Sequence, residues 1–76
     1  MPHVIVKLQA GRSDEQKARI AAEITKAVMA EAKCSEDAVS VAIEDIQSSD
    51  WTEKVYKPDI LGDWDRLYKK PGYKPL

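Results

Sequence analysis

A proline at position 2, directly behind Met1 and ahead of the strand-like run HVIVKL, is the most unusual chemical prospect in this chain. Removal of Met1, which a small second residue permits, leaves Pro2 as the N-terminus, a secondary amine held in a rigid ring. An α-amino group titrates near about 7.7 to 8.0 when unperturbed. Apolar surroundings and a neighbouring cation both disfavour the charged form and lower that value. Such an amine is a neutral base near pH 7, able to take a proton and return it, which is what proton shuttling requires. With Met1 in place the same nitrogen is a tertiary amide without basicity, so the chemistry depends on processing. The familiar constellations are missing. One cysteine, Cys34, and one histidine, His3, supply neither a Cys/His metal set nor a Ser/His/Asp triad. There is no Gly-rich phosphate loop and no nucleophile elbow. No cofactor or metal is expected.

The elements that must position Pro2 are legible as patterns. His3 to Leu8 alternates Val4, Val6 and Leu8 on one face with His3, Ile5 and Lys7 on the other, which predicts a strand. The run SDEQ at Ser13 to Gln16 has the form of a capping box at a helix start. Asp14 and Glu15 suit the positive end of that helix, and Lys33 suits its far end. Between them Ile20, Ile24, Ala27 and Val28 fall on one stripe, widened by Ala21 and Ala32. Ala38 to Ile46 alternates again and predicts a second strand. Strand, helix and strand with short connections make a βαβ unit with parallel strands and a right-handed crossover. Asp50 then reads as an N-cap with Glu53 three residues on, Pro58 breaks or restarts that helix, and Ile60, Leu61, Trp64, Leu67 and Tyr68 predict a short C-terminal helix. The Pro-Gly turn in KKPGYKPL ends it in an extended tail. The expected fold class is therefore α/β (α+β), one domain over residues 1–76.

Seventy-six residues form a small core that buries only roughly 60 to 65% of the unfolded surface. With disulfides and structural zinc excluded by count, self-association is the remaining source of stability. A two-stranded parallel sheet points the same way, because parallel sheets are covered on both faces. Twelve basic and thirteen acidic side chains give a net charge of -1 without a basic block, so nucleic acid and anionic membranes are not expected partners. Neither a signal peptide nor a membrane-spanning run is legible, and a lone cysteine suits a reducing compartment, so a cytoplasmic protein is expected.

An N-terminal proline ahead of a strand, followed by GRSDEQK at Gly11 to Lys17 and an aromatic at Trp51, resembles the 4-oxalocrotonate tautomerase family over about the first 51 residues. The remaining third, with its added helix and KKPGY, is similar to the dimeric PptA-like branch of phenylpyruvate tautomerases. The resemblance implies a cofactor-independent keto-enol tautomerase acting on 2-keto/enol carboxylates such as enol-phenylpyruvate, built as a homo-oligomer, a dimer in preference to a hexamer. Pro2 matches the general base that becomes the acid. Arg12 matches the arginine that binds a substrate carboxylate. Trp51 matches the aromatic that walls the pocket, although a tryptophan in a small domain is equally a packing anchor.

Ser40 departs from the pattern, standing where the type member has a second arginine. A guanidinium holds a carboxylate through two charge-assisted hydrogen bonds, whereas a hydroxyl offers one neutral donor. Monocarboxylates are therefore expected over dicarboxylates, with slower turnover than the type member. Ser40 stands either at a subunit interface or against the substrate. His3 reads as a solvated or interface residue and Cys34 as a small, partly buried hydrophobe. The rival expectation is a non-catalytic scaffold or small-ligand-binding oligomer on the same fold.

Overall fold

A computed structural model describes residues 1–75. The chain forms two compact units, Met1–Asp45 and the residues from Ile46 onward.

The first unit is the βαβ element. Strand β1, His3–Gln9, and strand β2, Ser40–Ile46, pair in parallel as a two-stranded sheet, joined through helix α1, Asp14–Ala32. The capping box forms as the sequence predicts: the Gln16 amide N–H donates to Ser13 Oγ at 3.1 Å, and the Ser13 N–H donates to Gln16 Oε1 at 2.9 Å. Two otherwise orphaned donors of the first turn are thereby satisfied.

The half-buried stripe of α1 runs through Lys17, Ile20, Ala21, Ile24, Thr25, Val28 and Met29. Ala27 and Ala32, expected on it, are exposed, because small apolar residues carry little directional signal against the larger Ile and Met side chains. Lys33 lies just past the helix as its left-handed cap, with φ 56°. β2 starts two residues later than its alternation predicts. Ala38 is held in a 3₁₀ turn, Glu36–Ala38, closed by the Val39 N–H on the Glu36 carbonyl at 3.1 Å.

From α1, Lys17 Nζ reaches Asp45 Oδ2 on β2 at 2.8 Å and Asp14 Oδ1 at 3.6 Å. The Asp45 hydrogen bond, ahead of the coulombic pull of Asp45 and Asp14, holds the ammonium above the ordinary lysine value. A folded-state value raised in this way contributes stability that is fully present below the unfolded lysine value, about 10.4, and is lost as pH rises through the folded one. The contribution of this pair to thermal melting is thus expected to be constant with pH around neutrality and to be lost only under alkaline conditions. Lys17→Met should flatten that alkaline decline, and an unchanged slope would assign it to other groups.

The second unit departs further from the sequence pattern. A 3₁₀ turn, Ser48–Asp50, leads into a π-helix, Thr52–Leu61. Asp50 makes no side-chain cap; its carboxylate instead pairs with Lys54 at 3.4 Å. Trp51 is already helical, and the Asp50 and Trp51 N–H groups are taken by the Gln47 and Ser48 carbonyls, so the entry needs no cap there. Pro58 sits inside the helix and does not end it. In an α-helix its ring would crowd the carbonyl four residues back; the wider turn relieves this, and the Gly62 N–H closes on the Lys57 carbonyl at 2.9 Å.

The helix predicted from Ile60 is absent beyond Leu61. Gly62 and Asp63 leave the ladder, and only a single 3₁₀ turn, Trp64–Arg66, follows. Leu61 and Tyr68, two of its five periodic residues, are exposed. Val55 and Tyr56, at 4% and 3% exposure, are the buried apolar residues of the described chain.

Gly62 has an ordinary helical φ of -64°, so its identity is dictated by space and not by backbone freedom. A Cβ there collides with the Pro58 carbonyl oxygen and approaches Lys57 O to 3.3 Å, both backbone atoms that cannot swing aside. Gly62→Ala is expected to destabilise by about 1 to 3 kcal/mol, each kcal/mol lowering the melting temperature by roughly 4 to 8 °C in a chain of this size. An unchanged melting curve would refute the crowding.

Candidate active site

Pro2 stands at the head of β1, half-buried, behind a fully exposed Met1. Its carbonyl accepts the Ser40 N–H at 3.2 Å, which aligns the first residues of the two strands. That alignment puts the His3 and Ser40 side chains together: His3 Nδ1 lies 2.6 Å from Ser40 Oγ. Both are exposed, as is Ile5 two residues along β1 on the same face. A ring nitrogen, an imidazole and a hydroxyl thus share one sheet end.

Arg12 is held elsewhere. After β1 the chain turns through Gly11, whose φ of 125° suits glycine alone, and delivers Arg12 to the start of α1. One guanidinium N–H donates to the Gln9 carbonyl at 3.0 Å. Arg12 faces an open groove of about 450 Å³ with Gln16, Arg19, Ile20, Glu23 and Ile24. Pro2 precedes β1 and Arg12 follows it, so at about 3.3 Å per residue the strand separates their backbones by more than roughly 20 Å. A single protomer does not bring the two residues together.

Trp51 belongs to the second unit, half-buried at the head of the π-helix. Its indole N–H donates to Tyr73 Oη at 2.9 Å, and the Tyr73 ring lies 5.6 Å from that of Tyr56, tilted by 46°. Trp51 therefore ties the tail to the π-helix, the packing role its residue type allowed. In the same unit Tyr56, Leu61, Trp64 and Lys74 line a hollow of about 440 Å³, and Lys70 Nζ sits 5.5 Å from the Trp64 ring centroid. Among the described residues no cluster of three or more His, Cys, Asp or Glu side chains fits a metal ion, and no helix is long and apolar enough to cross a membrane.

The family model described as "Tautomerase enzyme" matches residues 2–54. The chain belongs to the tautomerase family. It is 43% identical to a probable tautomerase of Xylella fastidiosa (strain 9a5c), across 100% of this chain and 93% of that one. It is 38% identical to the Tautomerase PptA of Enterobacter sp. (strain 638), across 96% of this chain and 97% of that one. Among solved structures it is similar to YwhB, a homologue of 4-oxalocrotonate tautomerase, with TM-score 0.59 and 39% identity over 60% of this chain and 75% of that one. A 4-oxalocrotonate tautomerase isozyme of Methylibium petroleiphilum gives TM-score 0.62 and 31% identity over 63% and 75%. The activity these relatives support is keto-enol tautomerisation, an isomerase reaction.

Two contacts of this tautomerase escape a residue-by-residue reading. The pairing of His3 with Ser40 follows from strand register, and the sequence alone, which starts the second strand at Ala38, carried no signal for it. Trp51 and Tyr73 are 22 residues apart on opposite sides of an irregular segment, and no spacing rule joins them.

Proposed function

We propose that the chain catalyses cofactor-independent keto-enol tautomerisation of 2-keto/enol monocarboxylates such as enol-phenylpyruvate, with Pro2 as the proton carrier. The observation that carries this reading is the placement of Pro2: half-buried at the head of β1, its carbonyl held by the Ser40 N–H, behind a Met1 exposed to an aminopeptidase. Once Met1 is removed, the neutral amine accepts the enol O–H proton and the resulting ammonium delivers it to the neighbouring carbon. The carbonyl forms, the amine is regenerated, and no net proton is consumed.

The substrate carboxylate is assigned to Arg12, whose planar fork suits two-point recognition. Because β1 separates the two residues within one chain, the Arg12 serving a given Pro2 comes from a second copy. Self-association is supported by the thin core, by Ile5 at 56% exposure on the sheet, and by the need of parallel sheets for cover on both faces, and the homodimer in preference to the hexamer by the resemblance of the C-terminal third to the PptA-like branch. The Trp51 N–H is held by Tyr73, so within its own unit the indole packs the tail against the π-helix. A lone free Cys34 accords with a reducing, cytoplasmic setting.

The deciding experiment joins two measurements on one purified sample: intact mass, and the ultraviolet decay of enol-phenylpyruvate. A mass lacking methionine with accelerated ketonisation is the expected result. A processed chain that leaves the decay at its buffer rate would overturn the substrate assignment and favour a binding role.

A further inference from the structure

The closest polar contact beside Pro2 is the 2.6 Å approach of His3 Nδ1 to Ser40 Oγ. This length belongs to a strong hydrogen bond, and it links side chains that are both exposed. Solvent could satisfy either group separately, so burial does not require the pair. Its position has a consequence for the reaction. Ser40 is bonded through its backbone to Pro2, and His3 is the next residue in the chain, so the pair lies beside the proton carrier.

The bond has two possible senses, set by the imidazole tautomer. If Nδ1 accepts, the hydroxyl proton is spent inside the pair and Ser40 turns lone pairs outward. If Nδ1–H donates, Oγ is the acceptor and the Ser40 proton is free to point at a ligand. Only the second sense offers a donor where Pro2 removes a proton from an oxygen.

We infer that His3 and Ser40 form a donor relay, His3 Nδ1–H to Ser40 Oγ and Ser40 O–H to the C2 oxygen of the substrate. This rests on the proposed role of Pro2. As the enol proton passes to the Pro2 nitrogen, negative charge develops on the C2 oxygen, and the Ser40 hydroxyl meets it with a hydrogen bond. When the Pro2 ammonium protonates C3, the charge collapses into the carbonyl and the hydroxyl keeps its own proton. Ser40 touches the substrate; His3 is a positioning residue that fixes the hydroxyl and polarises it, since successive hydrogen bonds strengthen one another. The pair thereby acts as a stronger electrophile than an isolated serine, and it selects a 2-oxygenated acid over one without that oxygen.

The test is a double-mutant cycle on enol-phenylpyruvate ketonisation, combined with ring ¹⁵N spectra. His3 is the sole histidine, so the spectrum contains one imidazole. Ser40→Ala should lower kcat by roughly 10²-fold, the scale of one lost oxyanion donor, and Ser40→Thr, which keeps the hydroxyl, should restore most of it. His3→Ala should cost roughly tenfold, within the couplings found between bonded neighbours, and should cost nothing further in the Ser40→Ala background. The ring should carry its proton on Nδ1, and phenylpyruvate should shift its signals in the wild type but not in Ser40→Ala. Additive losses, an Nε2–H ring, or full activity of Ser40→Ala alongside an impaired Pro2→Leu would each overturn the relay while leaving Pro2 as the base. Should Pro2→Leu itself retain full activity, the reading of Pro2 fails, and the ring spectra still decide the relay: a ring unmoved by phenylpyruvate rejects it.

Discussion

Pro2→Leu should abolish nearly all activity, while Pro2→Ala should retain a measurable remnant. The distinction comes from processing. A large second residue keeps Met1, so Pro2→Leu buries the nitrogen in an amide and removes the base; general-base catalysis is worth about 10² to 10⁴-fold, and that is the expected loss. Alanine still permits removal of Met1 and leaves a primary amine of ordinary basicity at the same strand end. What it lacks is the ring, which fixes the direction of the lone pair, so its loss should fall short of the leucine variant's. Both should melt close to the wild type, because the bond at this position is made by the Pro2 carbonyl to Ser40 and survives any side-chain change. Initial rates of enol-phenylpyruvate decay, with intact masses confirming the state of Met1, are the measurement. Equal rates for leucine and wild type would remove Pro2 from the mechanism.

How far the sequence disclosed this arrangement depends on the range of the interactions involved. The capping box at Ser13 and Gln16 is complete within four residues and formed as read, as did the first strand from His3, whose alternation of burial holds to Val6 and fails at the half-buried Lys7. The same capping logic failed at Asp50, because the preceding 3₁₀ turn already supplied carbonyl partners and freed the carboxylate for Lys54. Periodicity failed beyond Ile60 for a related reason. The π-helix that accommodates Pro58 needs a residue without a Cβ at position 62, and closing there ends the helix before Trp64 can join it. Pro2 is proposed from its own chemistry, which position 2 alone makes legible. The His3–Ser40 contact was not legible, since it exists only once two strands separated by a helix are set in register. The serine that departs from the family pattern is bonded to the imidazole one residue from Pro2.

Arg12→Gln is the companion to the Pro2 variants and carries the stronger structural claim. Gln9 takes one of its N–H groups, and the rest of the fork faces an exposed groove, so losing the charge should leave the fold intact. Removing a charge-assisted partner costs about 1.5 to 3 kcal/mol, so kcat/KM should fall roughly 10 to 150-fold, mostly through KM if the carboxylate is held equally in ground and transition states. The decisive step is mixing. Arg12→Gln and Pro2→Leu protomers, each impaired, are unfolded together and refolded. If every site draws Pro2 from one copy and Arg12 from another, a site is intact when its Pro2 comes from the Arg12 variant and its Arg12 from the Pro2 variant. Random assembly makes that about one site in four, whatever the number of subunits in a closed symmetric ring. Recovery to about a quarter of the wild-type rate is therefore expected. If both residues serving a site came from the same chain, every mixed site would lack one of them and mixing would restore nothing. The strand that separates Pro2 from Arg12 argues against that outcome, since bringing them together within one protomer would require β1 itself to come apart.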